Sequence, residues 1–178
     1  AHNGEINSIS ANRFNINART RSLKSEVFSN EELQKLFPIT KDDVSDSASL
    51  DHMFEFMIAN GYDFFKTIRS LIPMPWQNAP HIDSELRSFY EYSSIHFDPW
   101  DGPAAVSFTD GRYIACVLDR NGLRPAKYII TKDERILISS EYGVLDIDDN
   151  DILEQGRLQS GQMIGIDLKY NKILKNDD

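Results

Sequence analysis

Two short clusters in this sequence combine residue types that can hold developing charge. His2-Asn3-Gly4 places a side-chain amide next to a glycine. An Asn NH2 group and a Gly backbone N–H, adjacent on a turn, are two donors able to converge on one negative oxygen, and glycine admits a ligand close to the backbone. The same tripeptide is also an ordinary turn signal, and alone it does not choose. Ser45-Asp46-Ser47 precedes the strongest helical pattern in the chain. It reads as a capping cluster whose oxygens accept from first-turn amides, or as a carboxylate placed to hold a substrate ammonium.

Other residues with chemical potential read more plainly. Cys116 is the only thiol, and it lies mid-strand among apolar neighbours with no basic group placed by sequence to lower its pKa. It is expected to act as a small hydrophobe. The acidic run Asp146 to Asp151 suggests a calcium loop and fails on its spacing, with Asp151 where the turn needs glycine and Arg157 where a glutamate ligand belongs. His2, His52, His81 and His96 share no ligand spacing with one another or with the cysteine, so no metal site is expected. Trp76, Trp100, Tyr90 and Tyr92 are expected as core and loop-anchoring aromatics.

The elements that must position these residues are helices first and strands second. Residues 1 to 4 are expected as a turn and 7 to 24 as a helix. Ser29-Asn30 before two glutamates caps a short helix over 31 to 37, stopped by Pro38. In residues 47 to 60, Leu50, Met53, Phe54, Met57 and Ile58 form one apolar stripe, with Gly61 as a left-handed cap. A further helix over 63 to 72 ends at Pro73 and Pro75, and Asp83 or Ser84 caps another running to about Phe97. After Trp100 the apolar period shortens to that of strands. Residues 103 to 109 and 112 to 119 flank the hairpin signal Asp110-Gly111, followed by the turn Asn121-Gly122 and by Arg124-Pro125. Both runs carry successive apolar residues and so expect cover on both faces. Further strands are expected at 127 to 132, 135 to 140, 162 to 168 and 172 to 175. The pattern is α+β, with helices covering an antiparallel sheet in one domain, mainly helical over 1 to 97 and mainly β over 98 to 178.

The 178 residues suffice for one core, and 40% hydrophobic with 26% charged residues is an ordinary globular composition. A net charge of -9 without dense Lys or Arg clusters argues against nucleic acid as a partner. The longest apolar runs reach about half of a bilayer span, which argues against a membrane. A cytoplasmic protein is expected, or a plastid one if the source is a plant or alga. Ala1 opens the chain without an initiator methionine and directly on a motif, so a segment upstream is expected to be missing.

Taken together, a series of strings carries a family resemblance. HNGEIN at 2 to 7, SDS at 45 to 47, IP at 72, PWQN at 75 to 78, FYEY at 89 to 92, PWDGPA at 99 to 104, FTDG at 108 to 111, LDRNGLRP at 118 to 125 and SSEYGV at 139 to 144 occur in this order. The sequence resembles the amidotransferase domain of the glutamate synthase large subunit, a class II glutamine amidotransferase of the N-terminal-nucleophile hydrolase fold, over nearly its full length. The resemblance implies an αββα sandwich, here partial. It also implies that an N-terminal cysteine, with its own α-amino group as base, attacks the side-chain amide of L-glutamine to give a glutamyl thioester and ammonia. It puts Asn3 and Gly4 in the oxyanion hole and Asp46 on the α-ammonium of glutamine, with the DRNGLRP and SSEYG segments framing the site.

The parent implied by the resemblance passes ammonia to a synthase domain that aminates 2-oxoglutarate. Its FMN and iron–sulfur cluster belong to other domains, and this chain shows no site for them. The partners implied are L-glutamine and the remaining domains of a larger glutamate synthase polypeptide. The nucleophilic cysteine and the arginine that clamps the glutamine carboxylate belong upstream of HNG and are absent from these residues. The chain alone is therefore expected to lack glutaminase activity, and its open strand edges could self-associate with another copy. The alternative is a non-catalytic binding or assembly module left by truncation of an amidotransferase.

Overall fold

The computed structural model describes residues 1–176 and divides into two compact units, one from Glu5 to Gly102 and the other joining Ala1–Gly4 to the chain from Pro103 onward. The first is helical: α1 (Ile9–Arg19, continued by a 3-10 turn), α2 (Asn30–Leu36), α3 (Asp46–Ala59), α4 (Phe64–Leu71) and α5 (Ser84–His96). Side chains set the helix starts. Ser29 and Glu32 exchange bonds in a capping box on α2. Ser45, Asp63 and Asp83 each accept from first-turn amides of α3, α4 and α5. Gly61 ends α3 at φ +86°, as its position predicts. The core of this unit is the predicted stripe of Leu50, Phe54 and Met57 against Phe64, Ile68 and Leu71, with the Phe54 and Phe64 rings edge to face at 5.4 Å. Trp100 is buried, its N–H on Leu71 O at 2.7 Å, and Trp76 stacks on buried Tyr90. Tyr92, expected in the core or at a loop, points outward instead, because it falls on the solvent side of α5.

The second unit carries the strands, with one 3-10 turn (Asp149–Asp151): β1 (His2–Gly4), β2 (Ala104–Thr109), β3 (Tyr113–Leu118), β4 (Lys127–Thr131), β5 (Ile136–Ser139), β6 (Ile152–Arg157), β7 (Met163–Asp167) and β8 (Lys172–Leu174). They form a five-stranded sheet in the order β1-β2-β3-β7-β8 and a three-stranded sheet in the order β5-β4-β6, with every pairing antiparallel. Cys116, Leu118 and Ile164 of the larger sheet share an apolar cluster with Tyr128 and Ile138 of the smaller, closed by Ala126 and Leu158. Four consecutive residues of β3, Ala115 to Leu118, are buried, as an unbroken apolar run requires. β2 instead alternates, with Ser107 exposed between buried Val106 and Phe108.

Two strands depart from the sequence expectation. Residues 1 to 4 were expected as a turn and form β1, because their pairing partner lies about a hundred residues away and leaves no local signal. β6 is hidden for a different reason. Its inward positions are Ile152, Glu154 and Gly156, while Leu153 faces solvent, so apolar alternation runs against the fold. Gly156 must be small there, since a Cβ would lie 2.6 Å from the Tyr128 ring.

Candidate functional site

In the β unit the HNG residues lie on an edge strand. Ala1 exchanges both backbone bonds with Ser107, at 3.0 and 2.8 Å. Antiparallel ladders alternate bonded and non-bonded pairs, so Asn3 opposite Ala105 is the next bonded pair, and Gly4 opposite Ala104 is a non-bonded one. Ala104 confirms this from its own side. Its N–H donates to Asp119 Oδ1 at 3.1 Å and its carbonyl accepts from Asp119 N–H at 3.0 Å, so both groups face β3. The Gly4 N–H therefore points away from β2, toward the open side of the sheet, beside the exposed Asn3 side chain.

Gly4 can be nothing else. Its φ is +129°, and a Cβ would stand 1.8 Å from Pro103 O and 2.9 Å from Ala104 Cα. The seat it rests on is fixed by Asp119, which is 2% exposed. Besides Ala104, Asp119 holds Asn121 N–H through Oδ2 at 2.7 Å, while its carbonyl accepts from Gly122 and Gly161. Arg124 Nε reaches Pro103 O at 3.4 Å. The DRNGLRP string is thus the brace behind β1.

In the helical unit Asp46 is the first residue of α3 rather than its cap. Ser45 accepts from Ala48 N–H at 3.2 Å and takes the capping role. Asp46 is left to reach outside the helix, where Oδ2 accepts from Ile6 N–H at 3.0 Å, while Oδ1 accepts from Ser47 N–H at 2.7 Å. A carboxylate in the first turn also lies at the positive end of the helix dipole. The segment that follows HNG is held from a second side by the PWDG string. A Cβ on Gly102 would stand 2.1 Å from Glu5 O, Asp101 N–H donates to Ser8 Oγ at 2.8 Å, and Ser8 N–H donates to Asp101 O at 3.1 Å. Buried Asn12 accepts from Ser8 Oγ at 2.6 Å and donates to Pro99 O at 3.1 Å.

Comparison with known proteins agrees with these motifs. The family described as class-II glutamine amidotransferases matches residues 1–178. The chain belongs to that family. Its relatives include the glutamate synthase (NADPH) large chain of Bacillus subtilis (strain 168), 46% identical over 99% of this chain and 12% of the relative. The ferredoxin-dependent glutamate synthase of Pyropia yezoensis is 44% identical over 100% of this chain and 12% of its own. The glutamate synthase (NADH) of Schizosaccharomyces pombe is 40% identical over 100% of this chain and 8% of its own. The chain thus spans about an eighth or less of these relatives.

Within this amidotransferase chain Cys116 and the acidic run serve the fold. Cys116 is buried in β3, and burial pushes its thiol pKa up against a weaker opposing hydrogen bond with Ser107, so it stays protonated near neutrality. Asp148 spends its Oδ1 on Asn150 N–H and Nδ2, closing its own turn. Sequence reasoning missed the supports of the clusters: Asp119, Gly102, Ser8, Asn12 and Arg13. Only Gly102 and Asp119 sat in strings that stood out, and burial of a polar side chain such as Asn12 has no one-dimensional signature.

Proposed function

We propose that the chain forms part of a glutaminase site. A nucleophile other than Cys116 attacks the side-chain carbonyl carbon of L-glutamine, and the carbonyl oxygen takes up the negative charge. The Gly4 N–H and the Asn3 NH2 donate to that oxygen, and Asp46 accepts from the substrate α-ammonium. The C–N bond then breaks, ammonia leaves with a transferred proton, and water releases glutamate from the acyl intermediate. The observation that carries this reading is the direction of the Gly4 N–H, turned out of the β1–β2 ladder beside an exposed Asn3. Two donors that the sheet does not use are what a developing oxyanion needs.

The test is glutaminase kinetics on the complete polypeptide that carries these residues. Asn3→Asp keeps the size and replaces a donor with a charge, and should lower kcat by about 10²- to 10³-fold, the usual effect of losing an oxyanion donor. An Asn3→Asp enzyme with wild-type kcat would refute the assignment.

The relatives are named glutamate synthases, and the family resemblance carries the reading one step further, to ammonia spent within the same polypeptide on reductive amination of 2-oxoglutarate. Glutamine-dependent glutamate formation that requires 2-oxoglutarate is the assay for it. The iron–sulfur cluster implied by that role does not fit the described residues of this chain. Among the described residues no three His, Cys, Asp or Glu side chains converge, and the sole cysteine is buried in a strand. The sheet edges away from the Gly4 N–H, at β8, β5 and β6, are where the rest of the polypeptide, or a second copy of an isolated fragment, would add backbone pairing. No helix among the described residues is long and apolar enough to cross a membrane, and one relative, from Arabidopsis thaliana, is named chloroplastic. A cytoplasmic or plastid location is the corresponding proposal.

A further inference from the structure

An ammonium partner must be held in place, and the segment that delivers Asp46, residues 41 to 45, has no helix or strand of its own. One side chain spans it. Arg13, in the second turn of α1, donates from Nε to Ser49 Oγ at 3.0 Å and from Nη1 to Asp42 O at 3.3 Å. Its Nη2 donates to Val44 O at 2.5 Å and to Ser45 O at 3.3 Å. Ser49 is fully buried, and its own N–H closes the first turn of α3 on Ser45 O at 3.1 Å. The guanidinium thus holds the carbonyl just before Asp46 and a hydroxyl one turn after it.

This placement costs something. A cation beside a helix N-terminus faces the positive end of the dipole, where an anion would be favoured. What the guanidinium supplies in return is geometric, since its rigid planar fork engages several acceptors at once where a lysine offers a point charge on a flexible stem. The start of α3 is then tied at two places, by Ile6 N–H on Asp46 itself and by Arg13 on the backbone around it.

We propose that Arg13 is the positioning residue for Asp46, fixing its carboxylate for the α-ammonium of glutamine without contacting substrate. The proposal rests on the assignment of Asp46 made above. It predicts a loss confined to substrates that carry the α-amino group.

The experiment is steady-state glutaminase kinetics on the complete polypeptide with glutamine and with glutaramate, which keeps the amide and carboxylate and lacks the amino group. Asp46→Asn should raise the KM for glutamine and leave that for glutaramate unchanged, whereas an unchanged glutamine KM would remove the Asp46 assignment and this proposal with it. Arg13→Gln should raise the glutamine KM about tenfold, the scale of one charge-assisted bond, with kcat within about twofold and glutaramate kinetics unchanged. Arg13→Lys, the variant closer to native charge and size, should fall between. Adding Arg13→Gln to Asp46→Asn should cause no further rise, because both act through one carboxylate.

If Asp46→Asn behaves as stated but the Arg13 variants leave the glutamine KM at the native value, impair both substrates alike, or add in full to Asp46→Asn, the positioning role is overturned while the Asp46 assignment stands.

Discussion

Substituting alanine for Gly4 tests the geometry of the candidate oxyanion strand most directly. Two costs are separable. The first is conformational: φ +129° lies in a region that L side chains rarely adopt, at about 1–3 kcal/mol. The second is steric. The added Cβ would sit 1.8 Å from Pro103 O and 2.9 Å from two further backbone atoms, against ordinary contacts of about 3.5–4 Å, so the strand must move by more than an ångström. The obstacle is backbone braced by Asp119, and no flexible side chain can swing away. Gly111 supplies the control, since its φ is +89° and a Cβ there meets nothing within 4 Å. Gly111→Ala should show the conformational cost alone.

Because β1 is a three-residue edge strand, Gly4→Ala can shed its clash by detaching from β2 rather than by disrupting the core. Its extra destabilisation over Gly111→Ala is then capped near the worth of that pairing, about 1–3 kcal/mol. Urea denaturation of both variants measures the difference, and glutaminase assay of the complete polypeptide reads the site. Gly4→Ala should abolish activity while leaving a cooperative transition, and Gly111→Ala should stay active. An active Gly4→Ala enzyme would refute the argument that the Pro103 seat fixes β1.

Two more predictions follow from buried or paired carboxylates. Asp119→Ala strands the buried Ala104 N–H and removes a second bond from Asn121, so it should cost about 2–5 kcal/mol, whereas Asp119→Asn keeps one acceptor and should cost less than half as much in the same denaturation assay. Glu154 is held below its ordinary pKa, first by the hydrogen bond from Lys175 and then by that from Tyr128, so the ion pair stabilises the fold above the ordinary glutamate value, and that contribution is lost as pH falls through the lowered one. Because both side chains are substantially exposed, Glu154→Gln should cost only a few tenths of a kcal/mol at neutral pH, about zero in acid, and a cost that grew toward acid pH would contradict it.

The elements that could be read from sequence are those whose causes are local. The stripe of Leu50, Phe54 and Met57, the caps at Ser29 and Asp83, and the turns at Asp110-Gly111 and Asn121-Gly122 each depend on residues within a few positions. β1 depends on a partner about a hundred residues away, and β6 on the accident that its inward face carries Glu154 and Gly156. Neither cause can be seen in a window of ten residues.

The candidate site shows the same division at the level of single atoms. That Asn3, Gly4 and Asp46 could serve an oxyanion and an ammonium follows from residue type, but which of Ser45, Asp46 and Ser47 caps α3 does not. The structure gives the cap to Ser45, and this one assignment is what leaves the Asp46 carboxylate able to look outward to Ile6 N–H. The Gly4 N–H is likewise turned outward by register, because Ala1 and Ser107 are a bonded pair and the alternation does the rest. Shifting β1 by a single residue along β2 would turn that N–H back into the ladder and close the site with every residue still present. The functional content of HNG therefore lies as much in the brace that holds its register, Asp119 behind Ala104, as in the tripeptide itself.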